Sequence, residues 1–449
     1  MRKKSRNTIF FTRSLKQSVR LYLFLICILS YSAVQSQVNR KALDVAKTRF
    51  VDSLFQVAYL TALPKNSVAD IQIPSIIFPD TPCTKKNVPT LFMERDCFIR
   101  FDLYNSGDTA KQFYFLPGFY LHSLRVFRTR PGNPGNIIEI PSSGTEQLRG
   151  GTLLSLASHD SATFYAKFQF VRANINNYLP AIIEKDYIRE FKASLKNKDE
   201  LLDRITYIAS GILLLMIFYS MAVYLQGKKK EFLFYSIYTF CTGILLFLKS
   251  YFDQDSGMFH FIYEEYLDFM ILCIGVFFYL FFLRTFLQTK QTYVFLDRFL
   301  KIADILLIGL LSIYSMIYLF SEKYVILNIM ENYVIKWFLV IIGIVFIVYS
   351  SRKKHRLLNY LALGNLALLI FSIISLMIIL FKFRFVEERN SVFNRAMFYY
   401  IIGLVLELIC FLLGLAYKNR KDIIETAKES ERLKVDNEKK ELEKQVAVM

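Results

Sequence analysis

Seven apolar stretches fill the second half of this chain, and each can supply the roughly 20 residues that a helix needs to cross hydrocarbon. They run from Ile205 to Gln226, Glu231 to Tyr251, Phe269 to Leu287, Ile302 to Phe320, Ile329 to Ser350, Leu357 to Phe381 and Ala396 to Tyr417. An odd number of crossings puts the segment before the first span and the tail after the last on opposite sides. All ten prolines fall between Pro64 and Pro180, so no predicted span contains one. Substrate carriers often interrupt their helices at mid-membrane, commonly at Gly or Pro, to expose backbone. Continuous rods suit a signalling bundle better than a transporter, which is the less favoured alternative.

Loop charge orients the bundle, because Lys and Arg close to span ends are retained in the cytoplasm. The alternate loops carry Lys228, Lys229 and Lys230, then Lys290, Arg298 and Lys301, then Arg352, Lys353, Lys354 and Arg356, and the tail opens with Lys418, Arg420 and Lys421. The loops between them are acidic or mixed, with Asp253, Asp255, Glu264 and Glu265 in one, and Glu387 and Glu388 beside Arg384 and Arg389 in another. The segment before the first span is therefore expected outside the cell membrane and the tail in the cytoplasm. The net charge of +18 needs no nucleic-acid partner: seven of the cations lie in the first 20 residues and most of the remaining excess falls in these loops.

The first 36 residues read as a secretory signal: basic residues up to Arg20, an apolar core from Leu21 to Tyr31, and small or polar Ser32 to Ser36 before a cut at Gln37. Cys27 lies inside that apolar core and does not read as a lipid-attachment site. An exported domain comes next, residues 37–203. Its first part, Lys41 to Ala62, carries Leu43, Ala46, Phe50, Leu54, Val57 and Ala58 at helical spacing and predicts a packed helix.

From Cys97 the period becomes two. Cys97, Ile99, Phe101 and Leu103 alternate with more polar neighbours, as do Ala162, Phe164, Ala166, Phe168 and Phe170. Shorter candidate strands at 113–116, 123–128, 137–140 and 153–157 lie between turn clusters such as Asn105-Ser106-Gly107-Asp108 and Ser143-Gly144. The pattern predicts an all-β sandwich of jelly-roll type over about residues 90–183. Residues Glu184 to Asp203 are polar, lack Gly and Pro, and predict a short stalk leading into the membrane domain, 204–417.

In this order, sandwich, seven helices and charged helical tail, the chain resembles the bacterial seven-transmembrane receptors with diverse intracellular signalling modules. In the exported domain the resemblance rests on Phe98-Ile99-Arg100-Phe101 with Asn105, Leu124-Arg125-Val126-Phe127, and Phe164-Tyr165-Ala166-Lys167-Phe168. In the membrane it rests on Gly211-Ile212-Leu213-Leu214 with Tyr219 and Tyr224, then Glu231-Phe232-Leu233-Phe234-Tyr235 and Tyr238. The resemblance implies a multi-pass inner-membrane receptor with a periplasmic sensor domain and a carbohydrate-like small-molecule ligand. It also implies a cytoplasmic effector, since members of the family commonly continue into a kinase, cyclase or transcription module. Either a separate protein supplies that output, or the chain is the sensor half of a histidine kinase or similar protein.

No catalytic motif, cofactor site or metal cluster is legible, so the chain is not read as an enzyme. The four histidines, His122, His159, His260 and His355, are scattered, and His355 sits in a basic loop unlike a phosphoacceptor. Phe113, Tyr114, Phe115, Phe119 and Tyr120 read as sandwich packing before they read as a sugar-stacking platform, because the domain lacks Trp. Cys83 and Cys97 are the two cysteines predicted to reach an oxidising compartment; they either bridge or stay as two buried thiols.

Two further features carry functional expectations. Glu407 sits near the middle of the seventh span, where a carboxylate is costly, with Gly403, Cys410 and Gly414 on its face. It is expected to face the bundle and meet a polar stripe of Asn365 and Ser372. The group is either satisfied by an interhelical hydrogen bond or acts as a switch tied to protonation or helix movement. The tail, residues 418–449, has dense charges of both signs, no Gly or Pro, and Val435, Leu442 and Met449 seven apart. It predicts a signalling helix continuing the seventh span and pairing with its copy in a homodimer.

Overall fold

The computed structural model describes residues 41–83, 88–119, 121–130, 133–141, 151–173, 176–197, 200–251, 258–353, 355–381, 385–386 and 391–448. The signal segment, Cys27 and Ser143-Gly144 lie outside the described residues.

Among the described residues, ten strands build the amino-terminal domain. The larger sheet contains β1 (Leu43–Asp44), β3 (Tyr59–Pro64), β4 (Arg95–Tyr104), β6 (Leu121–Arg130), β7 (Asn133–Ile140) and β9 (Ser161–Phe170). The smaller contains β2 (Val51–Ser53), β5 (Lys111–Phe119), β8 (Thr152–Leu156) and β10 (Asn177–Glu184). The two alternating runs seen in the sequence are β4 and β9, paired antiparallel with Phe101 opposite Phe164. Their inward set, Cys97, Ile99, Phe101, Phe164, Ala166 and Phe168, is fully buried. Phe101 stacks on Phe115 of the other sheet at 4.6 Å, so the core lies between the sheets.

The helix expected over 41–62 is not formed. That stretch divides into β1, a 3₁₀ turn at Val45–Lys47, β2 and β3, which serve as edges to both sheets. Leu54, Val57 and Ala58 are buried as the helical spacing required, but Phe50 is 59% exposed. Apolar spacing fixed which side chains are inward; the open edges of β4 and β10 decided the backbone.

A stalk helix, Ile188–Asn197, leads into seven long apolar helices. Spans 1 to 6 are Glu200–Gly227, Lys230–Tyr251, Phe259–Phe286, Val294–Phe320, Tyr324–Arg352 and Arg356–Phe381; span 7 opens the helix Ala396–Val448. Spans 3, 4 and 5 begin ten, eight and five residues earlier than hydropathy suggested. The added turns of spans 3 and 4 hold charges whose partners lie on a neighbouring helix: Asp268 meets Lys249 at 3.0 Å and Asp297 meets Arg284 at 3.2 Å. Spans 3 and 5 each contain a π-helical turn, Tyr263–Leu267 and Met330–Ile335.

The sandwich rests on the 2–3 and 4–5 ends of the bundle. At the opposite end Lys418 reaches Glu231 at 3.2 Å and the Phe286 carbonyl at 3.1 Å, so the lysine-rich loops and the start of the tail share one face.

Candidate functional site: the dock and the Glu407 network

Two places join parts of the chain that are distant in sequence. The first is the dock between sandwich and bundle. Lys65, just after β3, pairs with Glu322 of the 4–5 turn at 2.9 Å, and that bond holds the Glu322 carboxyl below its ordinary range. Glu322 is largely exposed, so the pair contributes at most about 1 kcal/mol. Glu94, at the end of the 3₁₀ turn Thr90–Glu94, accepts the Val325 N–H at 2.7 Å. Val325 lies in the first turn of span 5, whose N–H groups have no intrahelical acceptor, so the sandwich caps a membrane helix. Glu265, in the π turn of span 3, accepts the Arg172 N–H at 3.2 Å and the Tyr318 hydroxyl at 3.4 Å. Beside it, Val171 and Ala173 pack on Phe261.

The sandwich end next to this dock is held rigidly. Asp96 is 1% exposed and faces Lys167 at 3.1 Å, with further bonds from Gln169 and the Asn66 N–H. Burial opposes its ionisation, yet those three donors together keep the carboxyl below its usual range.

The second place is the middle of the bundle. Glu407 is 3% exposed, and its carboxyl lies against the hydroxyls of Tyr279 of span 3 and Tyr238 of span 2. Asn365 of span 6 donates to the Tyr279 hydroxyl at 2.7 Å. One polar chain therefore links spans 2, 3, 6 and 7, with the Tyr235 ring buried and the Tyr400 ring half-buried around it. Asn365 meets Glu407 as expected but through Tyr279; Ser372, half-buried two turns away, is not among the groups at the carboxyl. The tyrosines were missed. A cluster of Tyr in stretches otherwise filled by Phe was the available signal, since a hydroxyl in hydrocarbon needs a partner.

Small residues let helix 7 come close. A Cβ on Gly364 would stand 2.9 Å from the Cys410 Cβ and 3.2 Å from the Glu407 carbonyl, and one on Gly403 would stand 2.9 Å from the Phe371 Cβ. Gly414 faces Tyr360 on the same side. Towards the tail, Phe411 stacks on Tyr235 at 3.9 Å and meets Phe282 at 5.3 Å, and Lys418 lies 4.1 Å above the Phe286 ring.

The remaining sequence candidates lie apart from these two places. Cys83 and Cys97 both border the sandwich core. Cys97 points into the sheet interior and donates to the Phe92 carbonyl at 3.8 Å, and burial pushes its thiol up; Cys83 sits at the domain edge, anchored by its N–H to the Ala58 carbonyl. Phe113 and Phe115 lie in the sandwich core, while Tyr114 packs with Ile183 and Ile188. None of these three forms a stacking face; the side chains of Phe119 and Tyr120 are outside the described residues. His159 meets Asp108 at 3.0 Å, and His355 is exposed. Among the described residues, no three His, Cys, Asp or Glu side chains are set to hold a metal.

Residues 203–418 match the family model described as 7TM diverse intracellular signalling. Among curated proteins nothing matches the chain. All seven spans fall within or overlap the matched residues and a β-rich domain precedes them, so the membrane half of this chain is similar to the seven-transmembrane receptors with diverse intracellular signalling.

Proposed function

We propose that the chain is a receptor whose exported sandwich senses a small molecule and whose seventh helix carries the resulting movement to a cytoplasmic effector. The observation that carries this reading is the continuity of the two ends. The sandwich caps span 5 through Glu94 and contacts span 3 through Glu265, and span 7 runs without a break from Ala396 to Val448. A push at the sandwich thus has a solid path to the tail.

The lysine-rich loops at the tail end support a cytoplasmic position for that end and a periplasmic one for the sandwich, in an inner-membrane protein. A carbohydrate-like ligand rests on the family resemblance. Catalysis belongs to the effector rather than to this chain.

The tail from Arg420 on is exposed along its described side chains, with Ile423, Ile424, Leu433 and Val435 bare. Lys421 with Glu425 at 3.5 Å and Asp436 with Lys440 at 3.0 Å support it as a helix. We assign its apolar residues to a pairing with the same helix of a second copy. Cysteine at Val435 should crosslink between subunits in membranes, and the yield should change when Glu94 is replaced by Ala. No crosslink at Val435 or at neighbours through one helical turn would remove the dimeric relay.

A further inference from the structure

Among the described residues, π-helical turns occur in two spans, and they are the two spans that the sandwich touches with hydrogen bonds. The span 3 turn, Tyr263–Leu267, contains Glu265 itself. The span 5 turn, Met330–Ile335, begins five residues beyond Val325, the group capped by Glu94. A π turn spreads one extra residue over a loop closed by i→i+5 bonds, and it is uncommon outside functional positions. Returning it to α geometry turns the rest of the helix by up to one residue step, about 100°.

Span 3 has contacts that would feel such a turn. From Glu265 it descends about 20 Å to Tyr279, at 1.5 Å per residue, and Tyr279 bonds Asn365 and lies against Glu407. Further down, Phe282 and Phe286 meet Phe411 and Lys418 of span 7. Charged side chains flank both π turns: Lys249 faces Glu264 and Asp268, and Lys336 faces Glu331 and Asn332. Their partners lie within hydrogen-bond or ion-pair reach in this register and would have to be exchanged in another. That gives the turns two discrete arrangements rather than a continuous slide.

We propose that the π turns at 263–267 and 330–335 are the moving parts of the receptor. Displacing the sandwich from Glu265 and Val325 shifts them towards α geometry and rotates span 3 against span 7. The proposal rests on the receptor reading and names the element that such a receptor would use.

The test uses the full-length protein in lipid nanodiscs, without added ligand. Glu94→Ala removes the span 5 cap and Glu265→Ala frees the Arg172 N–H; Glu94→Gln and Glu265→Gln keep an acceptor and serve as folded controls. Amide exchange in 330–335 should accelerate roughly fivefold in Glu94→Ala, as expected for loss of a helix cap, exchange in 263–267 should change in Glu265→Ala, and both should remain unchanged in the Gln variants. A disulfide between cysteines at Phe282 and Phe411 should form at a different rate in the Ala variants. Deleting Tyr333, which closes the span 5 turn to α, should abolish the response of 330–335 to Glu94→Ala. If exchange in both turns is unmoved while the Val435 crosslink still responds to Glu94→Ala, the receptor relay stands and the π-turn proposal is overturned. If neither responds, both fall.

Discussion

Replacing Gly364 by Ala inserts one methyl where spans 6 and 7 touch, and the structure sets the size of the effect. The new Cβ would lie 2.9 Å from the Cys410 Cβ, 3.2 Å from the Glu407 carbonyl oxygen and 3.3 Å from the Glu407 Cα. Two of those three neighbours are backbone and cannot rotate away, so the helices must part by about half an ångström, at a typical overpacking cost of about 1–3 kcal/mol. Ala also gains about 1 kcal/mol over Gly in a helix. Gly211 and Gly309 provide the comparison, since nothing lies within 4 Å of a Cβ at either. The helix gain is shared, so Gly364→Ala should be less stable than Gly211→Ala or Gly309→Ala by about 1–3 kcal/mol. Gly403→Ala, 2.9 Å from the Phe371 Cβ and 3.2 Å from the Leu368 Cα, should group with Gly364→Ala. Reversible unfolding in mixed detergent micelles measures this, monitored by circular dichroism and by fluorescence of Trp337, the only tryptophan. Four variants of equal stability would show that spans 6 and 7 do not meet as described.

Tyr279→Phe removes the hydroxyl that stands between Asn365 and Glu407 and should cost about 1 kcal/mol in the same assay, the value of the interhelical hydrogen bond from Asn365 in a membrane. Glu407→Gln keeps an acceptor and should cost less than about 1 kcal/mol; a double variant that is strictly additive would break the proposed network. In the sandwich, Asp96→Ala should cost about 2–3 kcal/mol, below the full value for a broken buried pair because the Lys167 side chain is 16% exposed. The Asp96 carboxyl is held below its unfolded range, so its stabilisation is complete above about pH 4 and fades as pH falls through the folded value. Asp96→Asn should flatten that acid limb in pH-dependent proteolysis of the domain, and an unchanged limb would assign acid sensitivity to other groups.

Periodicity was legible in the sequence, and pairing was hidden. Seven spans and the two long strands β4 and β9 can be read from which residues are apolar, because burial rewards that pattern whatever lies opposite. The expected helix over 41–62 failed for the complementary reason: its inward residues were right, but unpaired edges of β4 and β10 claimed the backbone. Span starts were misjudged where a charge had a distant partner. Asp268 looks like a loop residue until Lys249, 19 positions earlier, is seen to meet it. Glu407 marks the reach of periodicity. Its position at mid-span and the small residues on its face were enough to turn it inward and to choose Asn365 as a neighbour. They did not show that Tyr279 stands between them. That difference affects function: a direct bond would tie span 7 to span 6 alone, whereas the tyrosine ties both to span 3, the helix that carries Glu265 beneath the sandwich. The carboxyl therefore sits between the helix beneath the dock and the helix that leaves the bundle.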